Sequence, residues 1–165
     1  MRIFIKIKEW VVKMITEIKG DLIKLAKQGK FDAIAHGCNC KRNFGAGVAK
    51  QIAIAFPEMS ELDRSTDFNI MGMIDYTNVS KYGFTGINCY TQFGYGKPFT
   101  NPNDTYEDRY LAIERCFKSI NSEFRKMKIG IPLIGCGLAG LRWDKVKEIL
   151  ERVCADVDLI VVRYE

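Results

Sequence analysis

Apolar and polar positions along the chain follow two periods in turn. Ile3, Ile5 and Ile7 alternate with Phe4, Lys6 and Lys8, as in an edge strand. Met14 to Lys19 reads as a short alternating strand. Asp21 stands as N-cap before a helix, Leu22 to Gln28, closed by Gly29. Phe31 to Cys38 is a continuous apolar run, which suits a strand buried on both faces. A helix from about Val48 to Phe56 stops at Pro57, and a second helix, Glu58 to Arg64, comes next. Ile70 to Tyr76 and Thr85 to Thr91 read as strands, and Phe93 to Asn103, rich in Gly, Pro and Asn, as a loop. Tyr106 to Lys126 carries Leu111, Ile113, Cys116, Phe117, Ile120 and Phe124 at helical spacing. Ile129 to Ile134 is another buried strand. Asp144 reads as the cap of a helix reaching about Ala155, and Leu159 to Val162 is the final strand.

Alternation of strands and helices predicts an α/β fold: a three-layer α/β/α sandwich on a mixed, mostly parallel sheet of about six strands. The expected organisation is one domain over residues 14–165, preceded by an extension or edge strand over residues 1–13; Met14 is an alternative start. Ligands of such sheets bind beyond the carboxyl ends of the strands. Two glycine-rich loops leave strands there. One is Phe44-Gly45-Ala46-Gly47-Val48, which feeds straight into a helix. Small residues admit a ligand to the backbone, and a helix N-terminus offers unpaired N–H donors and partial positive charge. That suits a phosphate or pyrophosphate, although, taken alone, a tight turn explains the glycines better. The other loop is Gly135-Cys136-Gly137-Leu138-Ala139-Gly140. Two such loops on one sheet edge favour a diphosphate held between them. The G-x-G-x-x-G spacing sits in the last βα unit, with no room for a second dinucleotide half, and no G-K-[ST] marks a P-loop.

Composition narrows the function classes. The chain has 165 residues and no apolar run long enough to span a membrane. Lys6, Lys8 and Glu9 interrupt the apolar core a secretory signal needs. The net charge of +5 comes from lysines scattered among acids, so nucleic acid is not the expected partner. A modest positive field suits a phosphorylated small molecule. Cys38 and Cys40 are too close for a usual zinc pair and there is one histidine, so neither metal nor cofactor is expected. The six cysteines fit a reducing cytoplasm, and the expected form is a monomer.

The segments ITEIKGDL, AHGCNCKRNFGAGVAKQIAIAFP, INCYTQ and IPLIGCGLAGLRW, in that order, resemble the macro-domain family, and the resemblance runs from about Met14 to Tyr164. The H-x-C-N-C form resembles the branch of yeast-type ADP-ribose 1″-phosphate phosphatases and their phage and bacterial relatives. The resemblance implies ADP-ribose or its 1″-phosphate as ligand. Asp21, with Leu22 beside it, would take the adenine amino group, and Tyr164 would stack on the ring. Asn39 would sit at the distal ribose and is also a catalytic candidate, and Gln92 would be a further substrate-binding residue. Gly45, Ala46, Gly47 and Val48 would wrap the diphosphate from one side, and Gly135, Cys136, Gly137, Leu138, Ala139 and Gly140 from the other. Each has a plainer reading: Asp21 as a cap, Asn39 as a loop tie, Tyr164 as a surface aromatic.

His36, three residues before Asn39, matches the position of a catalytic histidine in the phosphatase branch, and its ordinary pKa near 6.5 suits proton transfer at neutral pH. A packed histidine at a strand end is the alternative. The partner aspartate is not fixed by the motif, and Asp144 is the nearest candidate in sequence. A related branch that releases ADP-ribose from glutamate uses an aspartate in the second loop, where this chain has Ala139. Three functions stay open: phosphatase, ADP-ribosyl hydrolase on protein or nucleic acid, and non-catalytic reader.

Overall fold

The computed structural model describes residues 15–66, 70–99 and 102–164; the expectations for residues 1–13 and for Met14 fall outside them. Among the described residues six strands form one sheet in the order β1-β6-β5-β2-β4-β3. In chain order these are β1 Thr16–Lys19, β2 Ala33–Asn39, β3 Ile74–Val79, β4 Phe84–Gln92, β5 Lys128–Ile131 and β6 Asp158–Arg163. Only β3 runs against its neighbour; the other pairings are parallel. The carboxyl ends of β1, β2, β4, β5 and β6 therefore open on one edge.

Helices α1 (Leu22–Lys27), α2 (Gly47–Ala55) and α3 (Pro57–Ser65) cover one face, and α4 (Tyr106–Glu123) and α5 (Trp143–Val153) the other. The apolar run in β2 serves both layers. Ala33 and Ala35 join the α4–α5 core with Ile113, Phe117 and Leu150, while Ile34 turns to Ile52, Phe56 and Met59. Burial on both faces is why the run does not alternate in polarity. Backbones also come close: a Cβ on Gly130 in β5 would lie 2.7 Å from the Phe31 ring.

Several boundaries differ from expectation, each for a local reason. Ile70 to Met73 is a turn, not a strand: Met73 N–H bonds Ile70 O, and Gly72 takes φ +93. β3 begins later and returns into β4 through a tight turn in which the Tyr82 and Gly83 amides both reach Val79 O. β5 stops at Ile131 because Pro132 has no N–H to extend the ladder. α4 starts with a capping box between Thr105 and Asp108, which the sequence pattern alone did not reveal. Leu111 lies on its exposed side, and Arg109 takes a place on its buried stripe. Asp144 does not cap α5: the N-cap is Arg142, and Asp144 sits inside the first turn, where its charge favours the helix dipole.

Candidate functional site

A cleft of about 430 Å³ opens at the carboxyl edge of the sheet. It is within the size range of small-molecule sites. Its walls come from the end of β2 (His36 to Asn39), the start of α2 (Ala46 to Ala49), the end of β4 and the loop beyond it (Thr91, Gln92, Tyr95, Gly96), the loop after β5 (Pro132 to Ala139), and Val162 and Tyr164. Among the described residues, no Asp, Glu, Lys or Arg side chain lines it. What the cleft offers is backbone.

The two loops face each other across it. Ala46 caps α2 with no side-chain hydrogen bond, so the amides of Gly47, Val48 and Ala49 keep the donors that a helix start leaves unpaired. Opposite, Gly137 to Gly140 form a turn closed by Gly140 N–H to Gly137 O at 3.1 Å. Within that turn the amides of Gly137, Leu138 and Ala139 donate to no protein acceptor among the described residues. Gly47 and Gly135 have φ of +57 and +75, the left-handed region where glycine carries no penalty. Gly45 and Gly140 flank the walls without lining them; Gly140 packs toward Tyr106 and Lys97.

Asn39, buried, ties the first loop. Its Oδ1 accepts from Lys41 N–H at 3.0 Å and Asn43 N–H at 3.4 Å, and its Nδ2 donates to Asn43 O at 2.9 Å. One N–H of its amide is left for the cleft. Gln92 donates to Gly94 O at 2.8 Å, leaving its oxygen free to accept. Gly37 matters for space: a Cβ there would stand 2.9 Å from Thr91 Oγ1.

His36 is on the floor of the cleft, only 1% exposed. Its Nε2 lies 2.9 Å from Asn88 Oδ1. The Asn88 Nδ2 donates to Met59 O at 2.9 Å, which turns Oδ1 toward the ring and makes Nε2 the protonated nitrogen. The Phe44 ring meets it edge-on at 5.2 Å. Burial pushes the imidazole down to about 4, against partial support from the Asn88 bond. The expectation of an ordinary histidine pKa is thus corrected: at neutral pH His36 is uncharged, with its lone pair on Nδ1. The cleft thiols are protonated as well. Burial raises Cys136 to about 11 and lifts Cys38 well above its usual value, which removes them as nucleophiles.

Other predicted residues lie at the periphery. Asp21 caps α1, with Oδ1 accepting from Ile23 and Lys24 amides at 3.0 and 3.1 Å, and does not line the cleft. Lys19 pairs with Arg163, and Gly20 N–H bonds Arg163 O, so Asp21 leaves the sheet beside Tyr164. Tyr164 lines the cleft and is 80% exposed. Leu22 is core. The structure does not bring Asp144 to the cleft: its side chain is 63% exposed and paired with Arg142 at 2.7 Å. Among the described residues no three metal-binding side chains gather. No helix of the described residues is long and apolar enough to cross a membrane.

One feature is hidden in the linear sequence. Arg109 and Asp104 form a fully buried ion pair behind the walls, with Arg109 Nε 2.6 Å from Asp104 Oδ1. Arg109 occurs at i−3, i−4 and i−7 from Ala112, Ile113 and Cys116, on the apolar stripe of α4, and a charge at such a position was the available signal.

The fold and cleft define a three-layer α/β domain with an anion-receptive site at the carboxyl edge of its sheet. No family model matches the chain. It is 32% identical over 162 residues to an uncharacterized 17.5 kDa protein of Enterobacteria phage T4, covering 92% of this chain and 97% of that one. It is similar to the ADP-ribose 1″-phosphate phosphatase of Saccharomyces cerevisiae (23% over 173 residues, 89% and 97% covered). It is also similar to the human ADP-ribose glycohydrolase OARD1 (26% over 154 residues, 91% and 90% covered). Among solved structures, a Bacteroides thetaiotaomicron protein of unknown function superposes with TM-score 0.73 at 25% identity, covering 92% of this chain and 99% of that one. The macrodomain of Thermus aquaticus DarG superposes with TM-score 0.67 at 23% identity, covering 92% and 98%. The chain has the macrodomain fold, and its sequence is similar to the yeast and human relatives above.

Proposed function

We propose that the cleft binds ADP-ribose and that the chain releases phosphate from ADP-ribose 1″-phosphate. The observation that carries the ligand is the pair of facing donor sets, the uncapped start of α2 and the Gly137–Gly140 turn, in a cleft without a lining carboxylate. Backbone N–H groups and a helix N-terminus favour a diphosphate. Tyr164, with Asp21 beside it, supports adenine at one end; Asn39 and His36 support the distal ribose at the other.

In the reaction, a water oxygen attacks phosphorus, the bond from phosphorus to the oxygen on C1″ breaks, and that oxygen takes up the proton the water gives up. Among the titratable side chains that line the cleft His36 is the candidate base, and its neutral form leaves Nδ1 to accept a proton. Such a weak base implies slow turnover. The yeast relative's activity supports the choice of substrate.

One observation favours a second reading, a non-catalytic ADP-ribose binder. No carboxylate among the described residues reaches the cleft to work with His36. An ADP-ribosyl hydrolase using a second-loop aspartate has no support, because Ala139 holds that place. The test is phosphate release from ADP-ribose 1″-phosphate by purified protein, with and without EDTA, beside calorimetric titration with ADP-ribose. Binding with release supports the phosphatase. Binding without release leaves the reader. Absence of binding would overturn the assignment of the cleft.

A further inference from the structure

We infer that Arg109, held by Asp104, is the positioning residue that fixes the Gly137–Gly140 turn against the Tyr95–Gly96 wall. The guanidinium is fully buried and makes four hydrogen bonds, two to Asp104 and two to carbonyls of the cleft walls. Nε and Nη2 reach the two oxygens of Asp104 at 2.6 and 2.8 Å. Nη1 donates to Gly96 O at 2.6 Å and to Ala139 O at 2.9 Å. Asp104 in turn accepts from the Phe93 and Gly94 amides, both at 3.2 Å. Burial opposes ionisation of Asp104, yet the guanidinium and those amides hold its carboxyl below the usual carboxylate range.

One planar cation therefore joins three segments: α4, the loop after β4 that leads into it, and the loop after β5. The bond to Ala139 O matters most. The Ala139–Gly140 peptide carries that carbonyl on one side and, on the other, the Gly140 N–H that closes the turn onto Gly137 O. Fixing this plane fixes the turn, and with it the direction of the Leu138 and Ala139 amides, which have no protein acceptor among the described residues. The bond to Gly96 O anchors the wall that carries Tyr95, a cleft residue. A buried charge costs free energy unless every partner is in place, so the pair penalises any arrangement in which either loop drifts.

Only the choice of ligand rests on the proposed function; the geometry does not. R109K keeps the charge beside Asp104, but one ammonium lacks the planar fork needed to bridge Asp104 and both carbonyls. The expected result is a folded protein whose Leu138 and Ala139 amide resonances shift and exchange faster with solvent. Its ADP-ribose affinity should fall by about tenfold, and its unfolding temperature should drop as well, because buried acceptors lose their donor. A folded R109K with unmoved resonances would overturn the inference, even if the wild type bound no ADP-ribose. Moved resonances beside a wild type that binds none would support it while sinking the ligand. If R109K does not fold, the wild type still decides: slow solvent exchange of the Arg109 Nε–H supports the inference, and rapid exchange refutes it.

Discussion

Gly47→Glu tests the first wall of the cleft directly. An added Cβ at Gly47 meets nothing within 4 Å, so the new side chain has open space to enter. The backbone there has φ +57, which costs an L-residue about 1–2 kcal/mol. A carboxylate at the start of α2 recovers about 0.3–1 kcal/mol from the helix dipole. The net destabilisation is about 1 kcal/mol, or roughly 2–4 °C in a domain of this size. Ligand binding should suffer far more. A unit charge about 5 Å from a diphosphate charge costs about 3 kcal/mol at an effective dielectric of 20, and every α2 amide that solvates the new carboxylate is lost to the ligand. The expected loss of ADP-ribose affinity is about a hundredfold. Gly47→Ala carries the same backbone strain without the charge, so calorimetry on both variants isolates the electrostatic effect. If Gly47→Glu binds ADP-ribose within twofold of Gly47→Ala, the diphosphate does not lie at this helix start.

The depressed pKa of His36 ties stability to pH. Between about 4 and 6.5 the unfolded chain binds a proton that the folded one does not, so stability is full above 6.5 and falls as pH drops toward 4, by about 3 kcal/mol. His36→Gln keeps a donor for Asn88 but does not titrate; denaturant melts at pH 7 and pH 4.5 should show its loss to be smaller than the wild type's. For the proposed phosphatase, the rate of phosphate release should stay level from about pH 5.5 to 8 as far as His36 is concerned, and His36→Gln should lower it about 100-fold or more; a wild-type rate that halves near pH 6.5 would contradict a buried neutral base. Asp21→Ala should cost about 1 kcal/mol of stability through the lost α1 cap and weaken ADP-ribose while sparing ribose 5-phosphate, whereas equal weakening of both ligands would reduce Asp21 to a cap. Gly130→Ala should destabilise by about 1–3 kcal/mol, because its Cβ would overlap the buried Phe31 ring; an unchanged melt would mean that this contact relaxes freely.

Local chemistry explains why most elements were legible along the chain. The apolar run ending at Cys38, the small residues Gly45 to Gly47 and the glycines from Gly135 to Gly140 carry their constraints within a few residues, so strand, loop and helix start could be read in order. The parallel sheet is then a consequence of alternation, and with it the meeting of both loops at one edge. What the sequence could not decide depends on contacts between distant segments. His36 has the ordinary chemistry of an imidazole until the packed fold buries it and lowers its pKa, while Asn88, itself held by Met59 O, orients the ring and partly opposes that shift. Asp144 is near the second loop in sequence, but the direction of α5 turns it to Arg142 and solvent. Asp104 looks like one more surface charge, and Arg109 is marked only by its place on the apolar stripe of α4, until the loops after β4 and β5 close around them, because desolvation of an ion pair is a property of the packed molecule and not of the chain.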